Sequence, residues 1–341
     1  MQGIILAAGK GTRMAPLTDR RAKPLVPLLG RPMIEHILTG GAAAGVADWV
    51  IVVGPFREQV IEHLGDGADL GLRVRYVVQE VANGNGAATL LCEEFMQDEP
   101  FLVSFGDIMT HPANYPRLAA EIRSGDWDAV ITLNYVADPY EGAAVYVEDG
   151  RVERIIEKPL PGTSTTNYNN SGIFGFTPLI FEMIRATPVS ERGEYELTQA
   201  VATMVDGGCA VGAMELEGYW SDIARPRDIL ALEPLMLAGA APPDGMLIDP
   251  SADVASDAEI VAPVMLGPGA AVGPAVIGPN TSIGPQAQVA DGCTLTDCAV
   301  LAGASVGAGA HLSRVLVEEG AGVPPGTRAV GQEDGCHVIE P

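Results

Sequence analysis

Residues 3–27 read GIILAAGKGTRMAPLTDRRAKPLVP. The apolar run Ile4–Ala8 passes straight into Gly9-Lys10-Gly11, which predicts a buried strand ending in a glycine-rich turn. Glycine lets backbone approach phosphate oxygens closely, and consecutive amides form a nest for an anion. The loop is not a Walker A motif. Five residues separate Gly3 from Gly9 where that motif needs four, and Gly11 follows Lys10 where Ser or Thr would meet magnesium. It is not a dinucleotide fingerprint either, because no third glycine opens a helix at the right spacing.

Outward from this stretch, strand and helix signals alternate. Helices are predicted over 32–45, 55–65 and 86–96, and buried strands over Asp48–Gly54, Leu72–Gln79 and Phe101–Phe105. Alternation at this short spacing implies a Rossmann-like, mostly parallel α/β sheet covered on both faces, with ligands at the carboxyl ends of its strands. Residues 128–158 change character. Ala129–Asn134, Ala143–Val147 and Arg151–Ile156 read as antiparallel strands around the turn Glu148-Asp149-Gly150, making the sheet mixed. Leu179–Arg185, Leu197–Val205 and 226–237 read as helices.

From Ile248 the pattern is different. Aliphatic residues recur at 248, 254, 260, 266, 272, 277, 283, 289, 295 and 301, with further rows at Val306, Leu312, Val317 and Val323. The step is six with three one-residue slips, and Gly, Pro, Ala, Ser and Asp fill the gaps. This is the hexapeptide signature of a parallel, left-handed β-helix, in which one aliphatic side chain per six residues enters a narrow prism. A flexible linker has no reason to hold such a step. The expected division is a catalytic domain over 1–235, a linker over 236–246, a β-helix of about four coils over 247–330, and a tail over 331–341.

Composition bounds what the chain can bind. Its 341 residues carry a formal charge of −24, so no face neutralises phosphates along its length, and nucleic acid and anionic membranes are excluded as general partners. Hydrophobic residues reach 47%, enough for a true core. Only three lysines occur, Lys10, Lys23 and Lys158, and residues 1–31 carry a net +5. A cationic segment in an acidic chain marks a pocket for a small anion. The five cysteines form no CxxC pair, and no apolar run approaches the 18 residues of a membrane span, so the expectation is a cytoplasmic protein without zinc or disulfides. His36, His63 and His111 have no nucleophile among the motifs and read as structural or surface residues.

Leu6–Met14, then Pro16-Leu-Thr18, then Lys23-Pro-Leu-Val-Pro27 resembles the signature of the sugar-1-phosphate nucleotidylyltransferases. Gln79 with Gly84, Gly106-Asp107, Glu157-Lys158-Pro159, Asn169–Gly172, Glu194–Thr198 and Gly218–Asp222 follow in that family's order, over roughly residues 1–235. The β-helix matches a subgroup of the same family. The resemblance implies attack by a sugar 1-phosphate on the α-phosphorus of a nucleoside triphosphate, with pyrophosphate leaving. Such chemistry asks for charge neutralisation and in-line positioning more than for a base.

The resemblance also assigns roles. Arg13 and Lys23 become the catalytic cations, Arg13 on the departing phosphates and Lys23 at the reacting centre. Leu6, Ala8, Gly9, Gly11, Thr12, Gln79 and Gly84 bind the nucleotide. Gly142, Glu157, Lys158, Asn170 and Gly172 bind the sugar phosphate. Asp107 and Asp222 hold Mg²⁺. Lys10 lies in the loop with its side chain free to face solvent or phosphate. Ala8 with Gln79 favours UTP or dTTP, whereas the string Asn85-Gly86-Ala87-Ala88 departs from the common pattern and leaves base preference open. Guanylyl transfer to a mannose, heptose or cyclitol phosphate is the alternative, as is a second, acetyltransferase activity in the β-helix. There only His311 offers a base, so homo-oligomerisation through the β-helix is the preferred reading.

Overall fold

The computed structural model describes residues 1–240, 242, 244–332 and 335–341, with the backbone alone at Ala240. The chain forms two compact units. One comprises Met1–Lys10, Ala22–Pro24 and Ile34–Trp220; the other comprises Gly11–Arg21, Leu25–Met33 and Ser221–Pro341.

The first unit is built on nine strands: β1 Gln2–Ala7, β2 Asp48–Val53, β3 Arg73–Val78, β4 Phe101–Phe105, β5 Ala129–Tyr135, β6 Ala143–Glu148, β7 Arg151–Glu157, β8 Tyr168–Phe176 and β9 Val211–Glu215. They lie in the order β3-β2-β1-β4-β8-β5-β9-β7-β6. The first four are mutually parallel, as their short apolar runs and intervening helices predict. β8 enters antiparallel between β4 and β5 and makes the sheet mixed. The predicted hairpin holds: β6 and β7 pair across Asp149 and Gly150, both with positive φ.

Both faces of the sheet are covered. Ile4, Val50, Val52, Val103 and Ile131 pack with side chains of α5 Leu179–Ala186 and α6 Leu197–Asp206. On the other face Trp49 lies against Gly41 of α1 Met33–Ala43, where a Cβ would overlap the indole. Tyr115 of α4 Asn114–Arg123 packs in the same way against Gly40. α2 Arg57–Leu64 links β2 towards β3, and α3 Asn85–Leu90 precedes β4. Alternate strand residues therefore supply both cores, as the period of two demands.

In the second unit, α7 Pro226–Ala240 leads to a parallel β-helix with three sheets. One sheet has six strands, from Met246–Ile248 to His337–Ile339, and the other two have five each. That gives five coils and a closing strand, one more coil than expected. The aliphatic ladder is the one read from the sequence, with Ile283, Val300 and Val317 in register on one face. Val300 takes the position expected of Leu301, because the repeat on this face is 17 residues there, Ile283 pairing with Val300 and Val300 with Val317. Two expected boundaries differ. The linker over 236–246 is helical through Ala240, and the first strand begins at Met246. Ala241 and Pro243 of that stretch lie outside the described residues, as do Glu333 and Asp334 of the expected tail, whose His337–Ile339 pairs with Val315–Val317. His311 stands exposed, in register with Thr294 and Arg328.

The six-stranded face is covered from within its own unit. Its outward residues Met265, Ser282, Ala299 and Leu316 are buried. Glu233 of α7 reaches it through Ser282, whose hydroxyl donates to Oε2 at 2.5 Å. Gly30, with φ +74, sits so close that a Cβ would lie 3.1 Å from Pro285.

Candidate active site

The carboxyl ends of β1 and β4 begin the site. Leu6 pairs with Val52 on one side and Phe105 on the other, leaving Ala8 and Gly9 just beyond the strand. The amide of Gly106 donates to Leu6 O at 2.9 Å, and a Cβ on Gly54 would overlap Ala8 O, so backbone crowds round this end. Gly9 has open space where a side chain would be, as a loop approached by a ligand requires.

Asp107 follows β4 after Gly106. Its Oδ2 accepts from Lys23 Nζ at 2.6 Å, and Lys23 is itself buried. A short charge-assisted bond of this kind fixes the lysine's position before substrate arrives. The two residues come from distant motifs, Lys23-Pro24 and Gly106-Asp107, that spacing alone could not bring together.

A continuous set of contacts joins the remaining candidates. Gln79, one residue past β3, donates from Nε2 to Gly84 O at 3.1 Å and to Asn83 Oδ1 at 3.2 Å, which leaves its carbonyl oxygen for a ligand. Gly84 has φ +108, and a Cβ there would overlap the Tyr195 carbonyl. Gly86 N donates to Tyr195 O and Tyr195 N to Asn83 O, while Asn85 Oδ1 accepts from Leu197 N at 2.7 Å. The next residue, Thr198, donates to Glu157 Oε2 at 2.7 Å. Burial pushes the Glu157 carboxyl above its ordinary value, opposed by the Thr198 bond and by Lys158 and Arg192, with Glu196 adding to the rise. Arg192 lies 3.5 Å from Glu157 and 2.6 Å from Glu196.

Lys158 is exposed and has φ +44, a left-handed conformation that a lysine rarely adopts. Its amide donates to Gly142 O at 2.7 Å. Strain of this kind is characteristic of functional positions. Gly142 is required because a Cβ would overlap Asn169 Oδ1. Asn169 is buried and triply bonded, accepting from Ala143 N and donating to Asn134 Oδ1 and Asn170 O. Asn170 makes a local turn bond, accepting from Gly172 N. Gly172, φ +85, packs tightly on Phe105 and Ile108 at an irregularity in β8. Asn169, Arg192, Tyr195 and Thr198 carry much of this architecture and were not among the expected site residues. Asn169, Tyr195 and Thr198 lay within quoted motifs; Arg192 carried no signal.

Gly11, Thr12, Arg13 and Asp222 belong to the second unit. Gly11 takes φ +66 and opens a single turn over Thr12–Met14, closed by Thr18 Oγ1 donating to Gly11 O at 2.8 Å. Met14 and Leu17 are fully buried, which anchors the loop, while Arg13 beside them is exposed. Asp222 ends the strand Trp220–Asp222 and is half-buried.

Among the described residues no group of three or more His, Cys, Asp or Glu could cage a metal. Asp107, a partly exposed carboxylate, fits instead a hard cation held by one or two carboxylates and completed by water and phosphate oxygens, as Mg²⁺ usually is. Among the described residues no helix is long and apolar enough to cross a membrane.

The nucleotidyl transferase family model matches residues 2–238. The chain belongs to this family. A model of the GMPPB C-terminal domain matches residues 260–332. Glucose-1-phosphate thymidylyltransferase of Streptomyces antibioticus is 34% identical over 71% of this nucleotidyltransferase and 68% of its own length. The low-salt glycan biosynthesis nucleotidyltransferase Agl11 of Haloferax volcanii is 33% identical over 70% of this chain, and the match spans 66% of that relative. The bifunctional protein GlmU of Methanococcus maripaludis is 34% identical over 68% of this chain and 53% of its own. A solved putative glucose-1-phosphate thymidylyltransferase from Bacillus anthracis superposes with TM-score 0.64 at 28% identity, covering 69% of this chain and 94% of that one. The enzymatic class is therefore that of sugar-phosphate nucleotidyltransferases.

Proposed function

We propose that this nucleotidyltransferase condenses a sugar 1-phosphate with UTP or dTTP to give a nucleoside-diphosphate sugar and pyrophosphate. The observation that supports this reading is the unbroken set of contacts from Gln79 through Gly84, Asn85, Leu197 and Thr198 to Glu157 and Lys158. It ties a base-reading amide to an acid and a cation suited to a sugar phosphate. Gln79, with a spare carbonyl oxygen, matches the N3–H edge of uracil or thymine. Gly84, Leu6, Ala8 and Gly9 bring backbone to the base and ribose, and Gly11 and Thr12 offer amides to phosphate. Arg13 holds the β- and γ-phosphates as their charge grows. Lys23 neutralises charge where the new bond forms, and Lys158 grips the sugar phosphate. Glu157 accepts from sugar hydroxyls, with Gly142, Asn170 and Gly172 shaping the same pocket. Asp107 and Asp222 would hold Mg²⁺, which supplies charge neutralisation across the two substrates.

A second reading, a different base and a mannose, heptose or cyclitol phosphate, is favoured by Asn85-Gly86-Ala87-Ala88. The proposal includes a cytoplasmic enzyme, to which five free cysteines are suited, and a homo-oligomer formed through the β-helix. Pyrophosphate release with Mg²⁺, measured over five nucleoside triphosphates against several sugar 1-phosphates, tests the reading. Turnover strongest with UTP or dTTP is expected. No turnover with any pair would sink the proposal, and turnover confined to GTP would transfer it to the second reading.

A further inference from the structure

The loop that carries Arg13 belongs to the same compact unit as the β-helix. Its basic end meets the acidic edge of the fifth coil. Arg21 Nη2 lies 2.5 Å from Glu319 Oε2, and the Arg21 side chain is only 17% exposed. Arg21 Nη1 is buried with no hydrogen-bond partner of its own, so Glu319 is what holds this guanidinium. Beside it, the positive charges acting on Glu318 are Arg21 and Arg20. The flank after Lys23-Pro24 is held by the same unit. Leu29 N donates to Glu233 Oε1 at 2.7 Å, and Gly30 abuts Pro285 and Met265.

The signature stretch of residues 11–33 is thus gripped on either side of Ala22–Pro24 by residues that follow it by 200 or more positions. Nothing in the loop's own sequence accounts for that. The turn over Thr12–Met14 has one side-chain bond, from Thr18, to hold its shape. The buried Met14 and Leu17 anchor the turn, and the Arg21–Glu319 pair adds a hold at its basic end, which lowers the cost of ordering an exposed arginine to meet phosphate oxygens.

We propose that the β-helix is a working part of the triphosphate site, with Glu319 acting through Arg21 as a positioning residue for Arg13. The inference rests on the reading of Arg13 as a triphosphate ligand. It assigns the fifth coil a role in nucleotide binding distinct from oligomerisation. An ion pair with one exposed partner is worth about 1 kcal/mol at most, which sets the effect at about fivefold.

The test compares wild type with Glu319→Ala, Glu319→Asp and the charge swap Arg21→Glu with Glu319→Arg. The readouts are KM for each substrate, kcat, melting temperature and amide hydrogen exchange over residues 11–21. Glu319 is half exposed, so the variants are expected to fold. Glu319→Ala is expected to raise the KM for nucleoside triphosphate about fivefold, leave that for sugar 1-phosphate within twofold, and speed exchange in the loop. The aspartate and the swap should each recover part of the loss. Unchanged triphosphate KM and unchanged loop exchange, in an active wild type, overturn the inference and leave the proposed function standing. So does an equal rise in both KM values with a fallen melting temperature, which marks general destabilisation. A wild type inactive with every substrate pair, but whose loop exchange still speeds in Glu319→Ala, overturns the proposed function and the role of Arg13 with it.

Discussion

Glu157 in the sheet unit and Glu233 in the β-helix unit are both acids held largely out of water, and burial raises the carboxyl of each above its ordinary value. Their surroundings differ in kind. Glu157 has a guanidinium 3.5 Å away, a lysine next to it and a hydroxyl donor, with a cavity of about 680 Å³ alongside. It is equipped to stay ionised while facing a ligand. Glu233 is buried, and its oxygens take a backbone amide and a serine hydroxyl. It is equipped to be neutral and to join a loop, a helix and a sheet face. In one unit a charge is paired with cations beside an open cavity; in the other a polar group is spent on holding the chain. Lys23 and Asp107 extend the first pattern, each serving as the other's counter-charge.

The largest expected effect breaks the first pattern. Lys23→Ala and Asp107→Asn should each lower kcat on the order of a thousandfold, the scale on which removing one preorganised charge from a reacting centre acts. The β-helix signal in thermal unfolding should be retained. A rate within tenfold of wild type in either variant would show the pair to be structural, a sheet-unit counterpart of Glu233.

The second effect concerns stability and its pH dependence. The Glu233 carboxyl stands at about 7 in the folded chain against an ordinary value of 4.5. The folded state therefore binds more protons than the unfolded state between those values, and stability falls as pH rises through them. The loss is absent below about pH 4.5 and complete above about pH 7, with an upper size on the order of 3 kcal/mol. Glu233→Gln keeps an acceptor for Leu29 N and a donor for Ser282, so it should flatten that limb and melt higher than wild type at pH 8. Parallel melting curves for the two proteins from pH 5 to 8 would show that Glu233 is ionised and compensated as Glu157 is. Glu233→Ala, which strands the amide and the hydroxyl, should destabilise at every pH.

The comparison also explains what the sequence disclosed. Every β-helix strand pair but the last is 17 or 18 residues apart, so a local step of six foretold most of the prism; the count of coils, the slip at Val300 and the closing strand His337–Ile339 were missed, because corners carry no strong signal. The parallel half of the sheet was equally legible, since β1, β2 and β4 are short, largely buried apolar runs and β3 carries Val74, Val77 and Val78. β8 was not read as a strand at all. Its residues Asn169, Asn170, Ser171 and Gly172 have poor strand propensity, yet it runs through the middle of the sheet, between β4 and β5, because tertiary hydrogen bonds such as those of the buried Asn169 satisfy their polar groups. The site candidates came from motif resemblance, which finds residues that touch a ligand. It passes over Arg192, which braces Glu157 and Glu196 from a position set by tertiary contact. It could not foresee that Gly11–Arg21 packs with the β-helix either.

Arg192 gives the smallest effect and the finest separation of the two kinds of acid. Its guanidinium lowers the Glu157 carboxyl against the rise imposed by burial, and it bonds Glu196 more closely than it does Glu157. On the proposed role of Glu157, only the ionised carboxylate accepts from sugar hydroxyls on both oxygens, so affinity for the sugar 1-phosphate should be lost as pH falls through the folded value of Glu157. Removing Arg192 takes away one stabiliser of the ionised form and moves that loss to higher pH. Arg192→Ala should raise the KM for sugar 1-phosphate a few-fold at pH 7, leave the KM for nucleoside triphosphate within twofold, and shift the acid limb of the KM profile upward. Arg192→Lys should keep most of the shift from appearing, since a cation remains. An unmoved acid limb in Arg192→Ala would mean that Thr198 and Lys158 suffice to keep Glu157 charged. Arg192 would then serve Glu196 alone, bracing the segment that carries Thr198.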